Sequence, residues 1–340
     1  MAHFPAKLTL AFIPTPIQRL ERLGREWEID LRVKRDDLTG SVLSGNKVRK
    51  LEYLLADAVN QSCDAVITCG AVASNHARAT AVAARILGLE PWLILAGSPP
   101  AAAHGNLQID LLAGARIRYI PWTEYSGNPD TILNSVAEEL KRQGKRPYII
   151  PTGGSNAVGI LGYVEAALEI KQQCREQNWY PDFLVCAAGS GGTYAGLFLG
   201  NTLEPVAEQV IGITVCQNAD YFRPRITHVA QNAARILQVD LSLDPGRMAL
   251  VDGYAGEGYG ISNPAQLRLI RHAADREGLI FDPVYTGKAL DGLRGEIAKG
   301  SIPRGSRVLF LHTGGIFGLS AFTEEMTRMW DSLTFWPDTL

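Results

Sequence analysis

The 340-residue sequence predicts an α/β fold with mostly parallel sheet, divided into two domains. Short aliphatic and β-branched runs alternate with longer stretches of helical character along the whole chain, which is typical of parallel sheets with helices on both faces. Several of these runs lead directly into glycine-rich turns, where such folds bind ligands. The length also exceeds that at which a single core usually stops growing.

Six aliphatic runs predict the strands. Residues 65–68 precede an alanine-rich helix over residues 77–87, and residues 91–95 precede a helix over residues 107–113. The other four predicted strands lie at residues 148–150, 183–187, 210–215 and 308–311. Short apolar runs of this kind, bounded by turn residues, are typical of buried parallel strands.

Two interruptions of this pattern predict where the domains divide. A Ser-Gly-Asn turn occupies residues 44–46, and a Pro-Thr-Gly-Gly-Ser-Asn turn occupies residues 151–156. We therefore expect a large domain formed by residues 1–46 and 160–340. A smaller α/β domain, residues 47–159, would be inserted into it.

The composition excludes several classes of protein. With 33 basic and 35 acidic residues the net charge is −2, which argues against a general nucleic-acid or membrane binder. The 46% hydrophobic content is ordinary for a globular protein. Five cysteines without a Cys-x-x-Cys pair suggest buried thiols in a reducing compartment. Because we find neither a signal peptide nor a membrane-spanning run, we expect a soluble cytoplasmic protein.

A glycine loop at residues 189–193 follows the predicted strand at 183–187 and opens a helix. Backbone N–H groups and a hydroxyl can converge on a phosphate at such a helix start. The alternative is a tight strand-to-helix turn that binds nothing. Tyr194 occupies the third glycine position of the dinucleotide fingerprint, and no nucleoside-triphosphate loop occurs, so the phosphate would belong to another cofactor.

A lysine at a helix start is the second candidate. Lys47 follows the turn at 44–46, where the helix dipole favours anions rather than cations. Burial there would favour a neutral amine, able to form a Schiff base or act as a base. The alternative is that Lys47, Arg49 and Lys50 form a solvated basic face.

The third candidate, Ser74-Asn75-His76, follows the strand at 65–68. It predicts either a helix cap or a turn that binds a carboxylate. The six histidines include no pair with metal-ligand spacing, so we expect no metal site.

Polar turns near the carboxyl terminus contain Tyr259, Tyr285 and Thr313. Each alone fits an ordinary loop, but together they would converge with the other turns at one sheet edge. The Gly-x-Ser-x-Gly elbow of serine hydrolases is absent from the sequence.

The ordered motifs resemble one enzyme family. They are Ser-Gly-Asn-Lys-x-Arg-Lys-Leu-Glu-Tyr at 44–53, Ser-Asn-His at 74–76, Gly-Ser-Gly-Gly-Thr at 189–193, Pro-Val-Tyr-Thr-Gly-Lys at 283–288 and His-Thr-Gly-Gly at 312–315. The chain resembles the D-cysteine desulfhydrase and 1-aminocyclopropane-1-carboxylate (ACC) deaminase family, which uses pyridoxal 5'-phosphate (PLP). The resemblance implies a tryptophan-synthase-β-like fold (PLP fold type II), a cofactor in the cleft between two domains, and a homodimer.

The same resemblance implies roles for individual residues. Lys47 would bind the cofactor covalently and exchange protons at the substrate α-carbon, and Thr313 would face the pyridine nitrogen, where a neutral hydroxyl suits elimination of a good leaving group. The implied phosphate cradle is Gly189, Ser190, Gly191, Gly192 and Thr193. Asn75 would bond the ring oxygen of the cofactor, and the implied substrate contacts are Ser74, Asn75, His76, Tyr259 and Tyr285, of which Ser74, Tyr259 and Tyr285 are also candidate catalytic residues.

Four positions bear on the substrate. ACC deaminases carry Glu in place of Thr286 and an apolar residue in place of Thr313, so the chain is more similar to the D-cysteine desulfhydrase branch. However, Ala73 stands where that branch has Gln, and Ser44 replaces its Gly.

The expected reaction is PLP-dependent β-elimination on a small amino acid, with D-cysteine giving pyruvate, ammonia and sulfide. L-cysteate sulfo-lyase, ACC deaminase and amino-acid racemase activities remain alternatives, and a non-catalytic phosphate binder is a more distant one.

Overall fold

The computed structural model describes residues 2–330, which form two sheets with helices on both faces. Met1 and residues 331–340, the end of the predicted large domain, lie outside the described residues. The strands are β1 (Ile17–Arg19), β2 (Asp30–Lys34), β3 (Ala65–Ala71), β4 (Glu90–Ala96), β5 (Arg116–Ile120), β6 (Pro147–Ile149), β7 (Phe183–Ala188), β8 (Gln209–Thr214), β9 (Ala249–Val251) and β10 (Arg307–Leu311).

The described residues also contain twelve α-helices. They are α1 (Glu21–Trp27), α2 (Lys47–Asn60), α3 (Asn75–Ile86), α4 (Gly105–Leu112), α5 (Trp122–Gly127), α6 (Pro129–Arg142), α7 (Leu161–Glu176), α8 (Gly192–Leu203), α9 (Ala219–Ile236), α10 (Pro264–Glu277), α11 (Thr286–Ala298) and α12 (Thr323–Trp330). Among the described residues, no helix is long and apolar enough to cross a membrane.

The larger sheet has the strand order β1-β2-β10-β7-β8-β9, and the smaller one has the order β5-β4-β3-β6. All neighbouring strands are parallel except β1 and β2, which pair antiparallel. Helices α7, α8 and α9 cover one face of the larger sheet, and α1, α10 and α11 cover the other. All six strands predicted from aliphatic runs are present.

The smaller sheet is built entirely from strands between residues 65 and 149, and the larger sheet takes strands from both sides of that segment. The amino-terminal segment nevertheless packs on the smaller sheet's side. Ala11 lies in an apolar cluster with Leu51, Leu54 and Val66. The contacts of this segment therefore extend beyond the division predicted from the sequence, which stays a prediction.

A buried ion network fixes helix α2 in the interior. The Arg49 guanidinium donates to both carboxylate oxygens of Asp36, at 2.9 and 3.0 Å, and to Glu169 at 2.9 Å. Tyr163 Oη donates to Asp36 at 2.6 Å, and Lys34 pairs with Glu169. Because these partners come from β2, α7 and the segment after β2, the network sets the position of the helix that begins at Lys47.

Candidate active site

A cleft lies where the starts of α2, α3 and α8 meet the turn after β10. The lining residues are Asn46, Lys47, Asn75, Ala187, Gly189, Ser190, Gly191, Thr193, Tyr285, Thr313 and Gly314. The cleft therefore collects polar turns from both sheets, as the strand-end rule predicts.

Lys47 is the first residue of α2 and its side chain faces this cleft. Burial lowers the pKa of Lys47 to about 8, because the ammonium loses hydration. Gly153, whose φ is +67°, lies beside the lysine, and a Cβ there would meet Ser190 Oγ at 2.3 Å, so this position requires glycine. The alternative of a solvated basic face is wrong, since Arg49 and Lys50 are also buried.

Lys50 lies one turn further along α2, on the same side as Lys47. Its Nζ donates to the carbonyl of Gly153 and to Ser155 Oγ, both at 3.1 Å. Ser155 Oγ in turn lies 2.8 Å from Ser190 Oγ in the glycine loop. Burial, and then the charge of Lys47, hold the pKa of Lys50 well below its ordinary value. Two amines thus meet beside the loop.

The glycine loop between β7 and α8 has the strand–loop–helix form predicted from the sequence. Gly191 is the N-cap of α8 with φ +81°, and no side chain caps the helix start. Thr193 Oγ1 accepts a hydrogen bond from Asn46 Nδ2 at 2.9 Å, which ties the loop to the turn before Lys47. A Cβ at Gly192 would meet Ser155 Oγ at 2.3 Å, so that position also requires glycine. The uncapped N–H groups favour an anion.

The Ser74-Asn75-His76 turn opens α3, and its three side chains separate. Ser74 is the N-cap, with Oγ accepting from the Ala77 amide at 3.1 Å. Asn75 faces the cleft, while His76 is buried with Nε2 2.9 Å from Thr68 Oγ1. Neither Ser74 nor His76 is among the lining residues, and the substrate-contact roles predicted for them stay predictions.

The two tyrosines meet at the cleft. Tyr285 is part of its lining, and Tyr285 Oη lies 2.7 Å from Tyr259 Oη. Burial raises the pKa of Tyr259 to about 12 and that of Tyr285 well above its ordinary value, so both phenols keep their protons at neutral pH. Tyr259 does not line the cleft itself, and its ring packs 6.0 Å from that of Trp122, centroid to centroid.

The two threonines lie differently. Thr313 lines the cleft, and its backbone carbonyl accepts a hydrogen bond from the backbone N–H of Asn46 at 3.0 Å. Thr286 is fully buried, and its Oγ1 donates to Asp282 Oδ1 at 2.7 Å. The Thr286 hydroxyl is thereby committed to the turn that precedes α11.

Sequence reasoning missed several residues at this site. Asn46, Ala187 and Gly314 join the lining, and Lys50 supports the glycine loop. The three-residue spacing of Lys47 and Lys50 was the available signal, because it puts both on one helix face. Gly192 starts helix α8 beside this cleft. The predicted residues that line the cleft are Lys47, Asn75, Gly189, Ser190, Gly191, Thr193, Tyr285 and Thr313.

Comparisons with known proteins show the family of the chain. A family model described as pyridoxal-phosphate dependent enzyme matches residues 8–314. The chain belongs to this family. A putative ACC deaminase of Pyrococcus abyssi is 42% identical over 329 residues, covering 97% of both chains. A D-cysteine desulfhydrase of Salmonella choleraesuis is 39% identical over 325 residues, covering 95% of this chain and 97% of that one.

Two further comparisons concern a plant enzyme and the fold. The bifunctional D-cysteine desulfhydrase/ACC deaminase of Arabidopsis thaliana is 40% identical and covers 94% of this chain and 81% of its own. A crystal structure of an ACC deaminase homologue superposes with a TM-score of 0.86, at 40% identity and 96% coverage of both chains. O-ureido-L-serine synthase, at 19% identity and a TM-score of 0.68, shares the fold. The predicted PLP fold type II, the family and the cofactor PLP are confirmed.

The chemistry of the cleft fits this PLP-dependent family. Among the described residues, neither Lys47 nor Lys50 has a carboxylate within 4 Å, so the pair has no acidic counter-charge from the protein. The uncapped start of α8 adds unpaired N–H donors next to them. An aldehyde-bearing phosphate ester supplies both the anion that these donors favour and a partner for the Lys47 amine. No metal-binding group of three or more ligands occurs in residues 2–330.

Proposed function

We propose that the chain is a PLP-dependent lyase that eliminates the β-substituent of a small amino acid, with D-cysteine as the substrate. D-Cysteine and water would give pyruvate, ammonia and hydrogen sulfide. The observation that carries the proposal is the Lys47 amine, with its pKa of about 8, in one cleft with the protonated Tyr285 hydroxyl. That arrangement supplies one group to accept a proton and another to donate one.

The cofactor would be held by groups that already line the cleft. The loop from Gly189 to Thr193 and the start of α8 would bind the phosphate, with Lys50 supporting the loop from behind through its hydrogen bond to Ser155. Asn75 would donate to the ring oxygen, and Thr313 would face the pyridine nitrogen. Bound PLP withdraws electrons from the substrate α-carbon and so makes the proton there removable.

The chain's own residues would then handle two protons. Lys47 Nζ, as the free amine, would accept the proton from the α-carbon. As the bond between the β-carbon and sulfur breaks, sulfur leaves with the electron pair and would take a proton from Tyr285, whose hydroxyl Tyr259 holds at 2.7 Å. The substrate carboxylate would bind at the start of α3, where the Ser74 hydroxyl and the first-turn N–H groups are donors.

The relatives support this reaction class and leave its substrate to experiment. Those cited carry the names D-cysteine desulfhydrase, ACC deaminase, or both. We favour elimination over opening of the ACC ring because Thr286 stands where ACC deaminases have Glu, and its hydroxyl donates its hydrogen bond to Asp282. No ionisable side chain then stands at that position to move a proton.

A substrate panel tests the proposal. PLP-loaded enzyme would be given D-cysteine, L-cysteine, L-cysteate, D-serine and ACC, with 2-oxo acid, sulfide, sulfite and substrate chirality measured. We expect pyruvate and sulfide from D-cysteine, loss of both in Lys47→Ala, and no loss in Lys141→Ala, which changes an exposed lysine. No pyruvate and sulfide from D-cysteine would reject D-cysteine desulfhydrase, whether the panel gave sulfite from L-cysteate, 2-oxobutyrate from ACC, inverted substrate or no product.

A further inference from the structure

Two buried side chains lie behind Asn75 and outside the cleft lining. Asn106 is the second residue of α4 and is 1% exposed, and Arg78, on α3, is 0% exposed. Both are hydrogen-bonded to each other, and Asn106 is bonded to Asn75. They form a chain of three polar side chains that ends at the cleft.

The direction of every hydrogen bond in this chain is fixed by its ends. Arg78 Nε donates to Asn106 Oδ1 at 2.9 Å, and a guanidinium has no acceptor. Asn106 Nδ2 donates to the Ala73 carbonyl at 2.8 Å, and a carbonyl has no donor. Turning the Asn106 amide over would put a donor against a donor and an acceptor against an acceptor. Its orientation is therefore determined by chemistry on both sides.

This orientation determines how Asn75 faces the cleft. The second hydrogen of Asn106 Nδ2 is donated to Asn75 Oδ1 at 2.9 Å. The Asn75 carbonyl is thereby committed to Asn106, and its Nδ2 group is left for the cleft that Asn75 lines. A donor there suits an oxygen ligand, whereas a flipped amide would present a second acceptor to it.

We propose that Asn106, oriented by Arg78, is a positioning residue that makes Asn75 present a hydrogen-bond donor to the ring oxygen of PLP. The inference rests on the cofactor contact of Asn75 proposed above. It adds Arg78, two residues beyond the Ser74-Asn75-His76 turn, and Asn106, which is distant in sequence from the motifs of the site, as residues that control the polarity of the cofactor pocket.

Arg78 also joins this chain to the two other segments of the site. Its guanidinium donates to the Ser44 carbonyl at 3.0 Å, in the turn before Lys47, and to the Val42 carbonyl. It lies 5.0 Å from the ring centroid of Phe317, just after the Thr313 turn. A fully buried cation thus makes all of its hydrogen bonds to neutral oxygens, which is consistent with a positioning role.

The test reverses the polarity of Asn106 with little change of shape. In Asn106→Asp a carboxylate oxygen faces Asn75, so the Asn75 amide turns to donate inward and presents its carbonyl to the cleft. We expect PLP to dissociate about 10- to 100-fold more readily in equilibrium dialysis of the holoenzyme, as for loss of a hydrogen bond to a charged group. The pH midpoint of the bound cofactor's visible absorbance should also move. Gln108→Ala, an exposed change on the same helix, should leave both values unaltered.

A double-variant cycle separates positioning from general damage. If Asn106 acts through Asn75, Asn106→Asp has no further effect on PLP affinity once Asn75 is Ala. Additive losses, or wild-type PLP affinity in Asn106→Asp, would overturn the inference. If Asn106→Asp does not fold, the same cycle is measured with Asn106→Ala, which removes the donor without adding charge. Wild-type affinity in Asn75→Ala would instead reject the cofactor contact proposed for Asn75, and the inference with it.

Discussion

The buried network around Asp36 makes a strong prediction about stability. Asp36 is 0% exposed and accepts four hydrogen bonds, two from Arg49, one from Thr15 Oγ1 and one from Tyr163 Oη. In Asp36→Asn the amide offers one acceptor oxygen, and its NH₂ group faces donors. Arg49 keeps only Glu169 as a carboxylate partner.

The magnitude follows from the pKa of Asp36. Although burial opposes ionisation, Arg49 and then Lys34 lower the pKa from 3.8 to about 2. At about 1.4 kcal/mol per unit, that difference corresponds to about 2 kcal/mol of stabilisation of the charged form. Removing one partner of a buried pair typically costs about 3–5 kcal/mol. We expect Asp36→Asn to lower the free energy of unfolding by about 3 kcal/mol at pH 7.

The same pKa gives the sign of the pH dependence. A carboxyl whose pKa is lowered by folding stabilises the protein fully above its unfolded pKa of 3.8, and this stabilisation is lost as the pH falls through about 2. The linkage relation predicts that the difference in unfolding free energy between wild type and Asp36→Asn narrows by about 1 kcal/mol from pH 5 to pH 3.

Urea unfolding followed by far-ultraviolet circular dichroism at pH 7, 5 and 3 measures both effects. Glu139→Gln, which breaks the exposed pair between Arg118 and Glu139, is the matched control and should cost less than about 1 kcal/mol. Equal losses in the two variants, or a difference that does not change with pH, would refute the argument.

Two further predictions concern the glycine loop and the segment at residues 254–260, which contains Tyr259. Gly191→Ala places a Cβ on a residue with φ +81°, so we expect the free energy of unfolding in urea to fall by about 1–2 kcal/mol. PLP should also be lost more readily on dialysis, whereas Gly127→Ala, where a Cβ has open space, should change PLP retention little. Lys288→Met removes the buried amine that donates to the carbonyls of Ala255 and Gly258, at 2.6 and 2.7 Å, so we expect faster amide exchange over residues 254–260. Lys141→Met, which changes an exposed lysine on α6, should leave that exchange unaltered.

Some strands can be predicted from their own residues, and others depend on partners elsewhere in the chain. β3 and β7 are almost wholly buried aliphatic runs, so hydrophobicity alone predicts them. β5 is an edge strand in which arginines alternate with apolar residues, and β1 is a three-residue edge strand with two polar residues, so neither forms an aliphatic run. β9, also at an edge, is aliphatic but only three residues long, which is too short for a pattern to predict it. β2 contains Lys34, whose carboxylate partner Glu169 lies 135 residues away, and such a partner cannot be found locally.

Side-chain direction limited the prediction of the site in the same way. The glycine loop and the lysine at a helix start depend on local chemistry, and the sequence predicts both. His76 follows Asn75 directly, yet it points into the interior because Thr68, on β3, offers it a partner there. The sequence does not predict a role for Asn106, because that role depends on contacts with Arg78 and Ala73 that form only in the folded structure.

Helix α2 indicates why the cleft selects an anion. Its Arg49 is neutralised by Asp36 and Glu169, so the fold supplies carboxylates where the helix packs into the interior. In the part of the chain that the structure describes, the other side of α2 carries Lys47 and Lys50 with no carboxylate within 4 Å. Burying two amines without counter-charge is costly unless a ligand provides it. The helix therefore has its own ion pairs on one side, and on the other side we propose that the phosphate of the cofactor supplies the counter-charge.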